Sequence, residues 1–80
     1  MALDVKCKIR KQVFVNYLDE FRILGCKPIG NYNMELDKWG GFSISGSNLF
    51  GFKEGDEVEI TIRPNQNAKR PASYILVGYP

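Results

Sequence analysis

The side chains that could carry chemistry in this sequence are clustered carboxylates, two thiols, and aromatic rings interspersed with lysine and arginine. The chain has no histidine, no glycine-rich phosphate loop, and no serine or cysteine with a recognisable base partner. Four carboxylates fall between residues 54 and 59, but their spacing matches no calcium loop. Glu57 and Glu59 alternate with apolar residues, which is typical of a solvated strand face. We therefore predict a protein that is not an enzyme, with no catalytic residue, no cofactor and no small-molecule substrate.

The two cysteines, Cys7 and Cys26, are too few for a disulfide scaffold or a four-ligand zinc site. Both fall within apolar strand patterns, so we expect two buried free thiols in a reducing compartment and no bound metal. No apolar run reaches the length of a signal peptide or a membrane span. These features predict a cytoplasmic protein without a membrane partner.

Aromatic and cationic side chains occur together along the chain. Proteins that bind single-stranded nucleic acid use this combination, because bases stack on aromatic rings while cations contact the phosphates. The aromatic residues on or beside strand patterns are Phe14, Tyr17, Phe21, Trp39, Phe42 and Tyr74. The cations near them are Arg22, Lys27, Lys38, Arg63, Lys69 and Arg70. Most of the rings are also suitable core residues, an interpretation favoured for Phe21, Phe42, Phe50 and Phe52. For Phe14 and Trp39, exposure and burial both remain open.

Length and charge set the scale of the protein. Eighty residues correspond to one domain, which we assign to 1–80. Eleven lysines and arginines against nine carboxylates give a formal net charge of +2, which is too small to indicate polyanion binding by itself. The first strand is basic and the acidic residues cluster elsewhere. Two interpretations remain open: a basic face opposite an acidic edge, or charges scattered over solvated strand faces.

A two-residue period dominates the sequence and predicts strands. The alternation at 4–15 predicts a long first strand in which Val13 and Val15 continue the inward series. Further strands are predicted at 21–29, 42–45, 57–63 and 73–79, with a turn at 16–20, a single turn at 49–52 and a polar loop at 65–71. Five strands without a convincing helix favour a small barrel or sandwich, and we expect an all-β, five-stranded OB-like barrel.

The order of short motifs resembles the N-terminal OB-like domain of the long RecD-like DNA helicases. The segments that carry the resemblance are Val13–Asn16, Phe21–Leu24, Phe42–Gly46, Phe52–Ile60 and Tyr74–Val77. They span nearly the whole chain, but the nucleotide-hydrolysing motor of those helicases is missing. The stretch "KEGDEVEI" is also similar to AbrB-like swapped-hairpin domains that bind duplex DNA, although residues 49–52 are too short for the helix of that pattern. The first resemblance implies an accessory domain that accompanies a motor.

Three hypotheses follow. The first is a non-catalytic OB-fold accessory module of a DNA-processing protein, which binds single-stranded DNA weakly or braces a helicase motor domain. The second is a protein-interaction module without nucleic-acid contact, and the third is an AbrB-like duplex-binding dimer. Because OB folds bind ligands on strands two and three and the flanking loops, the candidate nucleic-acid-binding residues are Arg22, Lys27, Trp39, Phe42, Lys69 and Arg70.

Overall fold

The computed structural model describes residues 2–47, 49–68 and 70–79, and this part of the chain contains five strands and no helix. The strands are β1 (Leu3–Asn16), β2 (Phe21–Pro28), β3 (Phe42–Gly46), β4 (Glu57–Pro64) and β5 (Ser73–Gly78). Each lies within a residue or two of its predicted position, because the apolar alternation that predicts it also buries one face. In β1, Val5, Cys7 and Ile9 are buried between exposed cations.

The five strands close into a barrel in the order β1-β2-β3-β5-β4, with β4 returning to β1. β3 and β5 are parallel and every other pair is antiparallel. β1 is long enough to serve two neighbours, pairing with β4 through residues 3–8 and with β2 through residues 7–16. The prediction of an all-β, five-stranded OB-like barrel is therefore confirmed. A swapped hairpin shared by two chains, which the AbrB-like hypothesis requires, is a different fold.

Two irregularities in β1 change which side chains face outward. The β1–β2 register shifts between Ile9 and Lys11 and again between Gln12 and Phe14. Each shift inserts an extra residue and changes the phase of the alternation. The prediction that Val13 continues the inward series is wrong, because the first bulge rotates it outward and leaves it 42% exposed. Val15 is half-buried at the end of the strand.

Aliphatic and aromatic side chains fill the barrel. Leu24, Ile44, Ile60 and Ile62 are fully buried at its centre. The predicted single turn at residues 49–52 is closed by a hydrogen bond from Phe52 N–H to the Leu49 carbonyl (3.1 Å). The side chains of Leu49 and Phe52 are both buried and cover one end of the barrel. Phe50, predicted as a core residue, is instead 41% exposed on the outside of this turn.

The two thiols lie inside the barrel. Cys7 and Cys26 are both buried and unbonded to any other sulfur. The neighbouring Cys7 thiol and burial both raise the pKa of the Cys26 thiol far above its usual range. The charged thiolate is therefore strongly disfavoured at Cys26.

The β1–β2 hairpin ends in a turn built by one side chain. Asn16 Oδ1 accepts hydrogen bonds from the N–H groups of Leu18 (3.0 Å) and Asp19 (3.4 Å), and its amide donates to the Asp19 carboxylate (3.0 Å). The turn leaves Leu18 95% exposed and Tyr17 76% exposed.

Among the described residues, no helix has the length and apolar character needed to cross a membrane.

Candidate nucleic-acid interface

A groove of about 700 Å³ lies on the outer face of β1, β2 and β3, between the β2–β3 connection and the loop before β5. Side chains from β1, from β2 and from both connections line it, among them Lys11, Phe14, Ile23, Trp39 and Arg70. This is the face that OB folds use for oligonucleotides. The position of the groove therefore agrees with the usual binding face of an OB fold.

Gly25 keeps the floor of the groove open where β2 pairs with Lys11 of β1. A Cβ atom at this position would lie 3.3 Å from Lys11 Cγ and 3.6 Å from a methyl carbon of Val13. The first bulge of β1 places both of these side chains over β2. Any larger residue at position 25 would displace the Lys11 stem, so glycine fits this close approach of two strands.

Trp39 stands at the side of the groove on a tightly bonded turn. The Asp37 Oδ1 atom accepts hydrogen bonds from the N–H groups of Trp39 and Gly41, both at 2.9 Å. The backbone closes the same turn with bonds from Asp37 N–H to the Gly41 carbonyl and from Gly40 N–H to the Asp37 carbonyl. Gly40 has a φ of 79°, a conformation that glycine adopts without strain. The indole is thus 74% exposed on a fixed support.

A cation already lies against the Trp39 ring. Lys38 Nζ is 4.5 Å from the ring centroid, a cation–π distance. Together with Lys11 and Arg70, it gives the described part of the groove three cations against the carboxylate of Asp37. One oxygen of that carboxylate is already occupied by two backbone N–H groups. The groove therefore combines an exposed aromatic ring with a local excess of positive charge.

The loop that carries Arg70 is bonded to the opposite connection. Glu35 Oε1 accepts a hydrogen bond from Ala72 N–H (2.7 Å), and the Tyr74 hydroxyl donates to the Glu35 carbonyl (2.8 Å). Ala72 has a φ of 57°, so this backbone position is strained for a residue with a Cβ atom. Burial raises the pKa of the Tyr74 phenol, which favours its protonated, donating form. These bonds hold the two walls of the groove at a fixed separation.

The structure brings together three of the six residues predicted for the site. Trp39, Phe42 and Arg70 all line the groove. Phe42 is only 2% exposed and packs edge-to-face against Tyr74, with ring centroids 5.6 Å apart. It therefore supports the floor and offers no free ring face to a base. Lys69 lies outside the described residues.

The other two predicted residues lie elsewhere. Lys27 is exposed beside a separate cavity that it shares with Lys8 and Arg10. Arg22 reaches the turn at residues 49–52, where one terminal nitrogen donates to the carbonyls of Leu49 (2.8 Å) and Phe52 (3.0 Å). Its guanidinium carbon is 5.4 Å from the centroid of the Phe50 ring. These contacts give Arg22 a structural role at the covered end of the barrel.

Sequence reasoning missed two contributors to the groove, Lys11 and Gly25. An unbroken two-residue period would place Lys11 on the inner face with Ile9, and only the register shift after Ile9 turns it outward beside Gly25 of β2. The glycine inside β2 did indicate a bulge or bend, which was the one available signal. Phe14, whose exposure the sequence left open, is 49% exposed in the groove with its ring 6.3 Å from that of Phe21.

Across the described ranges, no group of three or more cysteine, aspartate or glutamate residues is placed to hold a metal ion. No protein-family model, no curated protein and no solved structure matches this chain.

Proposed function

We propose that this protein is a non-catalytic OB-fold module that binds single-stranded DNA weakly in the groove beside Trp39. The observation that carries the proposal is the exposed indole on its bonded turn, next to Lys11, Lys38 and Arg70. Bases stack on exposed aromatic rings while cations contact the phosphates, and this combination tolerates any base sequence. A module of this kind would accompany a DNA-processing enzyme such as a helicase motor, in the cytoplasm.

The size of the groove and its charge predict weak binding. Trp39 and Phe14 offer two stacking surfaces, and each stacked base contributes about 1–3 kcal/mol. Three groove cations give an expected slope of about −2 for log affinity against log salt concentration, at about −0.7 per phosphate contact. Binding should therefore be strongest at low salt and should decrease steadily as salt is added.

Fluorescence of the single tryptophan tests the proposal directly. Titration of the protein with oligo-dT at low salt should quench Trp39, and added salt should reverse the quenching. The double variant Lys11→Gln/Arg70→Gln should bind more weakly. Lys53→Gln/Arg63→Gln, which removes two exposed cations that do not line the groove, is the matched control and should bind nearly as wild type does. Unchanged fluorescence at millimolar oligonucleotide and low salt would refute the proposal.

One observation favours a protein-interaction module as the second candidate. The hairpin tip exposes Tyr17 and Leu18, and the Tyr17 ring lies 6.1 Å from that of Phe50. The neighbouring Asp19 and Glu20 would repel phosphates, so this apolar tip suits a protein surface better than DNA. If wild-type protein does not respond to oligo-dT, this candidate becomes the better account.

A further inference from the structure

We infer that the path for the single strand continues beyond the Trp39 groove, over the first bulge of β1, to a cationic corner formed by Lys8, Arg10 and Lys27. This inference rests on the proposed function and extends it to the length of strand that is bound. A cavity of about 500 Å³ marks the corner, which Pro28 and Ile29 also line.

The bulge in β1 connects the corner to the groove. A middle cavity of about 380 Å³ is lined by Arg10, which it shares with the corner, and by Lys11 and Trp39, which it shares with the groove. Arg10 is the extra residue at the shift between Ile9 and Lys11, so it has no partner on β2. The bulge thereby places two consecutive cations between the two ends of the path.

The corner carries an unfavourable charge arrangement that a phosphate would relieve. Lys8 lies directly opposite Lys27 in the β1–β2 ladder, and like charges in that position are destabilising. On its other side Lys8 faces Glu57 across the β1–β4 ladder, which compensates one of the three cations. The described residues that line the corner include three cations and no carboxylate, so the corner has a positive charge that can attract a phosphate group.

The chemistry of the corner differs from that of the groove. Its described lining contains no aromatic side chain, so it can contact phosphates but offers no ring on which a base could stack. Along β1, the six residue-to-residue steps from Lys8 to Phe14 span about 20 Å at roughly 3.3 Å per step. A strand of several nucleotides is needed to reach both ends, which agrees with site sizes of about 4–16 nucleotides per OB fold.

A length series of oligonucleotides tests the path. Trp39 fluorescence would be titrated with dT3 and with dT12 for wild type, Lys8→Gln/Lys27→Gln, and the control Lys53→Gln/Arg63→Gln. All four substituted residues are exposed, and each double variant loses two positive charges. The two variants are therefore matched in net charge and in the exposure of the substituted side chains. Thermal unfolding followed by circular dichroism confirms that each variant is folded.

We expect dT3 to bind Lys8→Gln/Lys27→Gln and the control equally, because the groove alone holds it. With dT12, Lys8→Gln/Lys27→Gln should bind about 10–60-fold more weakly than the control at 50 mM salt, and its salt slope should be shallower by about 1.4. Equal affinity and slope for the two variants with dT12, in a protein whose wild type binds, would overturn the path and leave the proposed function intact. An absence of any wild-type response would overturn the proposed function itself.

Discussion

Replacing Arg22 with alanine should destabilise the barrel and leave oligonucleotide binding nearly unchanged. The guanidinium donates hydrogen bonds to two backbone carbonyls in the turn that covers one end of the core. A hydrogen bond to a charged group contributes about 1.5–3 kcal/mol. The Arg22 Nε atom is buried and has no hydrogen-bond partner among the described residues, which offsets part of the gain. We therefore expect the variant to lose about 2–3 kcal/mol of unfolding free energy.

The assay is urea denaturation followed by far-ultraviolet circular dichroism, because the exposed Trp39 is a poor reporter of core packing. With a urea dependence of about 1 kcal/mol per molar, the midpoint should fall by about 2–3 M. Arg22→Lys keeps the charge but loses the planar donor group over Phe50, so it should lie between alanine and wild type. A midpoint that barely moves, combined with a tenfold loss of oligo-dT affinity, would refute this reasoning and return Arg22 to the binding site.

Three further predictions concern the core. Ile60 is fully buried, so Ile60→Ala should cost about 2–5 kcal/mol, whereas the exposed Val77→Ala should cost less than about 1 kcal/mol in the same urea titration. Cys7 and Cys26 should resist Ellman's reagent in the native protein and react only with unfolding, because both thiols are buried; rapid native labelling would contradict their burial. Since burial raises the folded pKa of Tyr74 above its unfolded value near 10, its contribution to stability is complete below about pH 10 and is lost as pH rises through the folded pKa. Tyr74→Phe should accordingly lose less stability than wild type as the pH rises above about 10, and parallel losses would contradict this assignment.

The strands and the barrel were accessible from the sequence because each strand buries one face and therefore alternates in polarity. The first seven residues of β1 illustrate this, with Val5, Cys7 and Ile9 inside. The bulges of β1 could not be located from the sequence, since one inserted residue does not change the residue types, and Gly25 on β2 indicated an irregularity without fixing its position in β1. For this reason Val13 was assigned to the wrong face, and Lys11 was not recognised as part of the groove.

The candidate site was only partly predictable for a related reason. Trp39 and Arg70 were predicted as binding residues because both flank the strands that OB folds use for binding, and both line the groove. Arg22 lies on one of those strands, but its hydrogen bonds reach carbonyls 27 and 30 residues further along the chain. A contact at that separation depends on tertiary structure, and side-chain type alone does not reveal it. Phe42 was predicted both as a core residue and as a binding residue. Its burial against Tyr74 confirms the first interpretation and leaves no free ring face for the second.

The parallel pairing of β3 with β5 also has a consequence for synthesis of the protein on the ribosome. β5 is the last strand to emerge, and it pairs with both β3 and β4. Translation at roughly 5–20 residues per second leaves about 1–3 seconds between the end of β4 and the end of β5. During that interval the nascent chain has two unpaired strand edges, which are sites for aggregation. The barrel can close only after residue 78 has left the exit tunnel, so closure is a late event that favours chaperone contact beforehand.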